Sequence, residues 1–314
     1  MLSRIAESLF WIGRYVERAE DTARILDVQT QMMMEDPSVD IDSACRTLLS
    51  VMGTEVPAIA DGGRLTLESA LYRLAFDTDE GTSITSAIAG ARESARRARE
   101  TLSTDMWEAI NSTYRFLPSG RFRAMRTQDA FRWVRERAAV VNGAADATMS
   151  RDEGWQFLML GRTIERADMT ARLVATSALS PGANSAWPTT LRACGAYQSF
   201  LRAYRGLETD REAAEYLLLD RLFPRSVVFN LTRAEQCLAN LEASGQRVGF
   251  QDEAQRLLGR ARAELEYRSI ADIVTDLPGE MERLQRTCAA ASDAVTQRYF
   301  AHAVAMSWQG GTAR

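Results

Sequence analysis

This chain has no lysine: all 38 of its basic residues are arginine. That excludes a lysine Schiff base, and it excludes a Walker-type phosphate loop, whose lysine reaches the phosphates. Genomic base composition accounts for the gap most economically; avoidance of lysine modification is the functional alternative. Histidine is almost as scarce. His302 is the single one, so histidine-based triads and multi-histidine metal sites are excluded, as is a ferritin-like di-iron bundle with its paired Glu-x-x-His motifs. His302 itself reads as a packing residue of a terminal helix. The four cysteines, Cys45, Cys194, Cys237 and Cys288, include no Cys-x-x-Cys spacing, so they read as buried thiols in a reducing cytosol. No cofactor is implied.

Apolar runs long enough to span a membrane are missing too, and Arg4, Glu7 and Arg14 interrupt the apolar N-terminus, which is unlike a signal peptide. A cytoplasmic protein is expected. Alternating strand patterns are absent, and the 7 prolines fall at breaks between helical stretches.

What is present is a repeat. Gly13-Arg14-Tyr15-Val16-Glu17-Arg18-Ala19-Glu20-Asp21-Thr22-Ala23-Arg24 returns 148 residues later as Gly161-Arg162-Thr163-Ile164-Glu165-Arg166-Ala167-Asp168-Met169-Thr170-Ala171-Arg172. Gly, Arg, Glu, Arg, Ala, Thr, Ala and Arg coincide without a gap, which signals duplication. Both copies are amphipathic helices: Ile5, Leu9, Ile12, Val16, Ala19, Ala23 and Leu26 mark one apolar stripe, and Phe157, Leu160, Ile164, Ala167, Ala171 and Val174 mark the other. Beside the first stripe run Gly13, Arg14, Glu17, Asp21 and Arg24; beside the second run Gly161, Arg162, Glu165 and Arg172. Within one helix, Glu17 can reach Arg14, Asp21 can reach Arg18 and Arg24, and Glu20 can reach Arg24. A solvated face with such pairs is the plain interpretation. Solubility, however, requires charge rather than a fixed order of Arg, Glu and Arg. The retained order therefore predicts partly buried stripes, facing each other as a polar cluster. Met169 in place of Asp21 makes the two stripes unequal.

The breaks predict an all-α helical bundle of about 11 to 13 helices. It forms one body over residues 1–314, built from two pseudo-repeated halves, 1–150 and 151–314. Each half should run long helix, short helix, helix, loop, helix. Helix one is expected from Ser3, as its cap, to about Met34. A single helix is expected over Thr189–Tyr204, after a loop bracketed by Ser180-Pro181-Gly182 and Trp187-Pro188. A long helix should reach Thr101, and the last should run from Gly279 to Met306.

The net charge is −4, yet residues 92–137 hold 11 arginines against 6 acids. The charge elsewhere is too balanced for a nucleic-acid binder. A solvated helix face, or a docking surface for an acidic protein or a nucleotide, fits better. Arg121, Arg123 and Arg126 beside Gly120 can hold a phosphate or carboxylate, or stand exposed at a helix start.

The opening Met1-Leu2-Ser3-Arg4-Ile5-Ala6-Glu7-Ser8-Leu9-Phe10-Trp11-Ile12-Gly13-Arg14-Tyr15-Val16-Glu17-Arg18-Ala19-Glu20 resembles the bacterial alpha-E domain family. So do Ser103-Thr104-Asp105-Met106-Trp107-Glu108-Ala109-Ile110-Asn111, the second motif from Gly161 to Asp168, and Arg298-Tyr299-Phe300. The resemblance implies a helical protein encoded beside circularly permuted ATP-grasp proteins and transglutaminase-like cysteine peptidases. That system is inferred to make or break peptide or amide bonds. The Glu-Arg motif falls here on Glu17, Arg18, Glu165 and Arg166.

Three functions are then open. The chain can be a non-catalytic partner of the ATP-grasp-like ligase and the transglutaminase-like peptidase. It can be a substrate-binding or catalytic subunit, with Arg14, Arg18, Arg162 and Arg166 clamping a carboxylate or phosphate and Glu17 or Glu165 as a base. Or the motifs can be buried ion pairs that hold two halves together. The candidate cluster under all three comprises Arg14, Glu17, Arg18, Asp21, Arg24, Arg162, Glu165, Arg166, Asp168 and Arg172.

Overall fold

A computed structural model describes residues 1–56, 63–178, 186–205, 209–242, 249–250 and 252–300. The described residues hold fifteen α-helices and no strand. In order they are α1 (Ser3–Glu35), α2 (Ile41–Met52), α3 (Leu67–Leu71), α4 (Ile84–Arg97) and α5 (Thr104–Phe116); then α6 (Arg121–Ala124), α7 (Thr127–Thr148), α8 (Glu153–Ala178), α9 (Ala186–Ala193) and α10 (Tyr197–Ala203); and finally α11 (Asp210–Leu219), α12 (Val227–Leu241), α13 (Glu253–Glu266), α14 (Ile270–Val274) and α15 (Leu277–Val295). Single π-helical turns extend α3 over Tyr72–Phe76 and α15 over Thr296–Phe300.

The longest helices, α1 and α8, cross at the centre. Around α1 lie α4 and α7, with α5 packed on both of those. Around α8 lie α12 and α15, with α13 packed on both of those. Each central helix therefore belongs to a set of four, and the crossing joins the sets. Phe10 and Ile12 of α1 and Leu160 and Val174 of α8 are fully enclosed, as expected for helices that have neighbours on several sides.

Serine and aspartate caps start the outer helices. Ser83 accepts from the Ser86 amide at α4, Ser103 from Met106 at α5, and Ser226 from Phe229 at α12. Each satisfies one of the unpaired amides of a first turn. The central helix differs from expectation. Ser3 is the first helical residue of α1 rather than its cap; Leu2 holds the cap position and makes no side-chain bond there. The helix expected over Thr189–Tyr204 is divided at Gly195, whose positive φ of 65° suits glycine and turns the chain between α9 and α10. Trp187 and Pro188 lie within the first turn of α9, where a proline without its amide is tolerated. α4 stops at Arg97, short of Thr101. His302, the end of the last helix toward Met306, and Ser180-Pro181-Gly182 lie outside the described residues.

Candidate functional site

Gly13 and Gly161 set the geometry of the crossing. A Cβ on Gly13 would overlap the Leu158 carbonyl oxygen and lie 2.9 Å from the Arg162 nitrogen. A Cβ on Gly161 would overlap the Phe10 carbonyl oxygen and lie 2.9 Å from its carbon. Each glycine thus admits the backbone of the opposite helix. One turn further on, the charged residues of each motif meet those of the other.

The pairing is mostly reciprocal. Arg18 donates to Glu165 through Nε at 2.6 Å and Nη2 at 3.1 Å, and Arg14 donates to Glu165 through Nε at 2.6 Å. Across the crossing, Arg166 donates to Glu17 through Nε at 2.5 Å and Nη2 at 2.6 Å. Arg162 stands 3.5 Å from Glu17, without a hydrogen bond to it. The carboxylates are almost wholly enclosed, Glu17 at 0% exposure and Glu165 at 2%.

The flanking pairs are local. Arg24 donates twice to Glu20 Oε1, at 3.0 and 2.8 Å, and Arg172 donates to Asp168 at 2.8 Å. Of the reaches expected within α1, only Glu20–Arg24 forms. Arg14 and Arg18 turn to α8 instead, and Asp21 turns to a residue outside the motif.

That residue is Arg225, between α11 and α12. It donates to Glu17 at 2.9 Å, to Glu20 at 2.6 Å and to Asp21. The Ser226 cap and the Asn230 side chain, which donates to the Pro224 carbonyl at 3.0 Å, fix the loop that carries it. The Thr170 hydroxyl, from the second motif, donates to the Arg225 carbonyl at 3.0 Å. Ser292 on α15 is also drawn in, accepting from Arg14 at 3.0 Å. Sequence reasoning missed Arg225, Glu20 as its partner, and Ser292. The only local signal for Arg225 is its place immediately before a helix cap.

The electrostatics follow from this geometry. Burial disfavours the charged form of Glu165, but Arg14 and Arg18 outweigh it and hold the carboxyl at about 2. Burial likewise opposes the charge on Glu17, and Arg166 and Arg225 outweigh it, well below the usual carboxylate range. Asp21 goes the other way. Burial pushes it up to about 7, Glu17 and Glu20 add to the push, and Arg225 counters only in part. One guanidinium serves three carboxylates there, so the extra proton belongs to the group as a whole. Arg225 is strongly held in its charged form by the same three acids. Burial also raises Asp168 and lowers Arg162, whose Nε has no hydrogen-bond partner.

Chemically, this is an all-α protein whose two central helices are clasped by exchanged Glu-Arg pairs. The chain belongs to the alpha-E family, described as a predicted alpha-helical domain with a conserved ER motif, which matches residues 1–300. It is similar to an uncharacterised protein of Mycobacterium bovis, 28% identical over 90% of this chain. Two uncharacterised proteins from strains of Mycobacterium tuberculosis are similar at 28% and 27% identity, again over 90% of this chain. The matched region spans 38% of the length of each of these relatives. No solved structure matches the chain. Among the described residues, no helix is long and apolar enough to cross a membrane.

Proposed function

We propose that this chain is the non-catalytic helical component of a system that makes peptide or amide bonds or modifies proteins, and that it docks the ATP-grasp-like ligase and the transglutaminase-like peptidase. The observation that carries this reading is the arginine face of α4 to α7. Arg92 lies over the Tyr114 ring at 5.1 Å, Arg99 over Trp107 at 5.1 Å, Arg121 over Phe116 at 5.0 Å and Arg123 over Tyr72 at 5.0 Å. None of these four has a carboxylate partner among the described residues. The rings fix the guanidiniums in place and leave their charge for an acidic surface. The arginines of the crossing other than Arg162, by contrast, are matched internally.

Two further facts support the reading. The relatives carry this region as a part of a much longer polypeptide, so in them it works beside other sequence. And Glu17 and Glu165, the carboxylates a catalytic reading would use, are saturated by guanidiniums and too weakly basic for efficient proton abstraction near neutral pH. In this reading the Glu-Arg motifs are architecture. They join residues 1–150 to 151–314 as descendants of one duplication, within one body in the cytoplasm, where unpaired buried thiols persist.

The test is co-purification with the neighbouring ATP-grasp-like and transglutaminase-like proteins. Wild type should retain at least one of them, and an Arg99→Glu, Arg121→Glu, Arg123→Glu variant with unchanged melting temperature should lose it. Retention of neither by wild type refutes the docking role; retention by the variant refutes the face.

A further inference from the structure

Arg162 departs from the reciprocity of the crossing. Its counterpart, Arg14, makes two hydrogen bonds, to Glu165 and Ser292. Arg162 has only the 3.5 Å approach to Glu17, because Arg166 and Arg225 already occupy that carboxylate. The entry of Arg225 therefore leaves a guanidinium over, 19% exposed and with a buried Nε that no acceptor reaches. A buried cation that lacks a full partner is costly, and an arriving anion relieves that cost.

Arg162 lines a pocket between α8 and α12 with a volume of about 490 Å³, within the range of small-ligand sites. Arg233 stands at the same pocket, exposed and without an ion-pair partner among the described residues. Arg151 is laid over the Trp155 ring at 3.6 Å. Asp146 is the pocket's one acid. The floor is apolar, from Trp155, Met159 and Phe229.

The rim carries side-chain amides in a relay. Gln236 donates to Asn240 at 3.0 Å, and Asn240 donates to Gln156 at 3.3 Å. Carboxamides present a donor and an acceptor together, the same complement that a peptide group offers in return. The pocket thus combines guanidiniums that suit a carboxylate, an apolar floor and amides that suit a peptide backbone.

We infer that the groove between α8 and α12 binds a carboxylate-bearing peptide, with Arg162 and Arg233 as its anchors. This does not depend on the docking face of α4 to α7, which lies on the other set of helices.

The test is calorimetric titration of the full chain at low salt with N-acetyl-Ala-Glu. The same titration is repeated with the fully amidated N-acetyl-Ala-Gln-amide and with inorganic phosphate. The carboxylate peptide should bind, and the amidated peptide and phosphate should bind at least tenfold more weakly. Arg233→Gln, at an exposed position that leaves folding intact, should weaken the peptide at least tenfold. Arg115→Gln, away from the groove, should not. Absence of binding by the carboxylate peptide overturns the site. Phosphate binding as tight as the peptide's reduces it to a general anion site and overturns the peptide assignment. An unchanged affinity in Arg233→Gln overturns the anchor and the location together.

Discussion

Glu17 and Arg166 are 149 residues apart in the chain and meet through two hydrogen bonds of 2.5 and 2.6 Å. Neither side chain is available to solvent in any substantial degree, at 0% and 9% exposure. A fork-to-fork pair of this kind is directional as well as strong. Together with Arg18 on Glu165, it makes the two motifs mutually dependent: each supplies the acid that the other's arginine needs.

Glu17→Gln should lower stability by about 3–5 kcal/mol, the usual cost of leaving a buried charge unpaired. Glu165→Gln should cost less, because Arg14 and Arg18 are the more exposed guanidiniums and Arg14 keeps Ser292. Urea unfolding of the two variants measures the order. Equal, near-zero effects would contradict a structural clasp.

Gly13→Ala and Gly161→Ala should each lower stability by about 1–3 kcal/mol or more, since the new methyl meets an opposing carbonyl that cannot move independently of its helix. Gly143→Ala, inside α7 with open space around the added atom, should instead stabilise by about 0.5–1 kcal/mol. The three variants in one denaturant series separate a packing cost from ordinary helix propensity.

The pH dependence should have two opposed parts. Glu165, held at about 2 in the fold against an ordinary 4.5, adds stability that is full above about pH 4.5 and is lost as pH falls toward 2. Asp21, raised to about 7 from 3.8, adds stability that is full below about pH 4 and is lost as pH rises through 7. Asp21→Asn mimics the protonated form. Its melting temperature relative to wild type should therefore be higher at pH 8 than at pH 5. A difference independent of pH would show that the carboxylates around Arg225 take up no proton in this range.

The four thiols are buried and unpaired. Burial lifts Cys194 to about 12 and Cys237 to about 11, which leaves almost no thiolate at neutral pH. A thiol reagent should find none of the four in the native protein and all of them in denaturing guanidinium. Rapid native labelling of any one would mark a local opening in the helix that carries it.

The all-α class and the placement of most helices were legible because breaks, caps and period-3.6 stripes are local signals. So was the burial of the motif, since a fixed order of Arg, Glu and Arg exceeds what solubility asks. The partners were not. Arg14 and Arg18 lie within reach of acids on their own helix, and nothing local reveals that Glu165 competes for them. Arg225 is one of two arginines in the α11–α12 loop, and its value arises only where that connection comes down on α1. The under-satisfied state of Arg162 is a further step removed, being a consequence of where Arg225 ends up. Gly195 was misjudged for a different reason: glycine within a helical pattern is tolerated, and only its positive φ makes it a break.

The glycine crossing also limits how the molecule can move. A slide of α1 along α8 by one turn, ~5.4 Å, would drive the carbonyls at Phe10 and Leu158 onto residues that carry side chains. Shear, the common mode by which packed helices shift, has no second resting position here. The helices α1 and α8 therefore behave as one strut. Any displacement imposed on the three helices gathered around α1 is carried to the three around α8 as rigid-body rotation about the point where the two backbones touch.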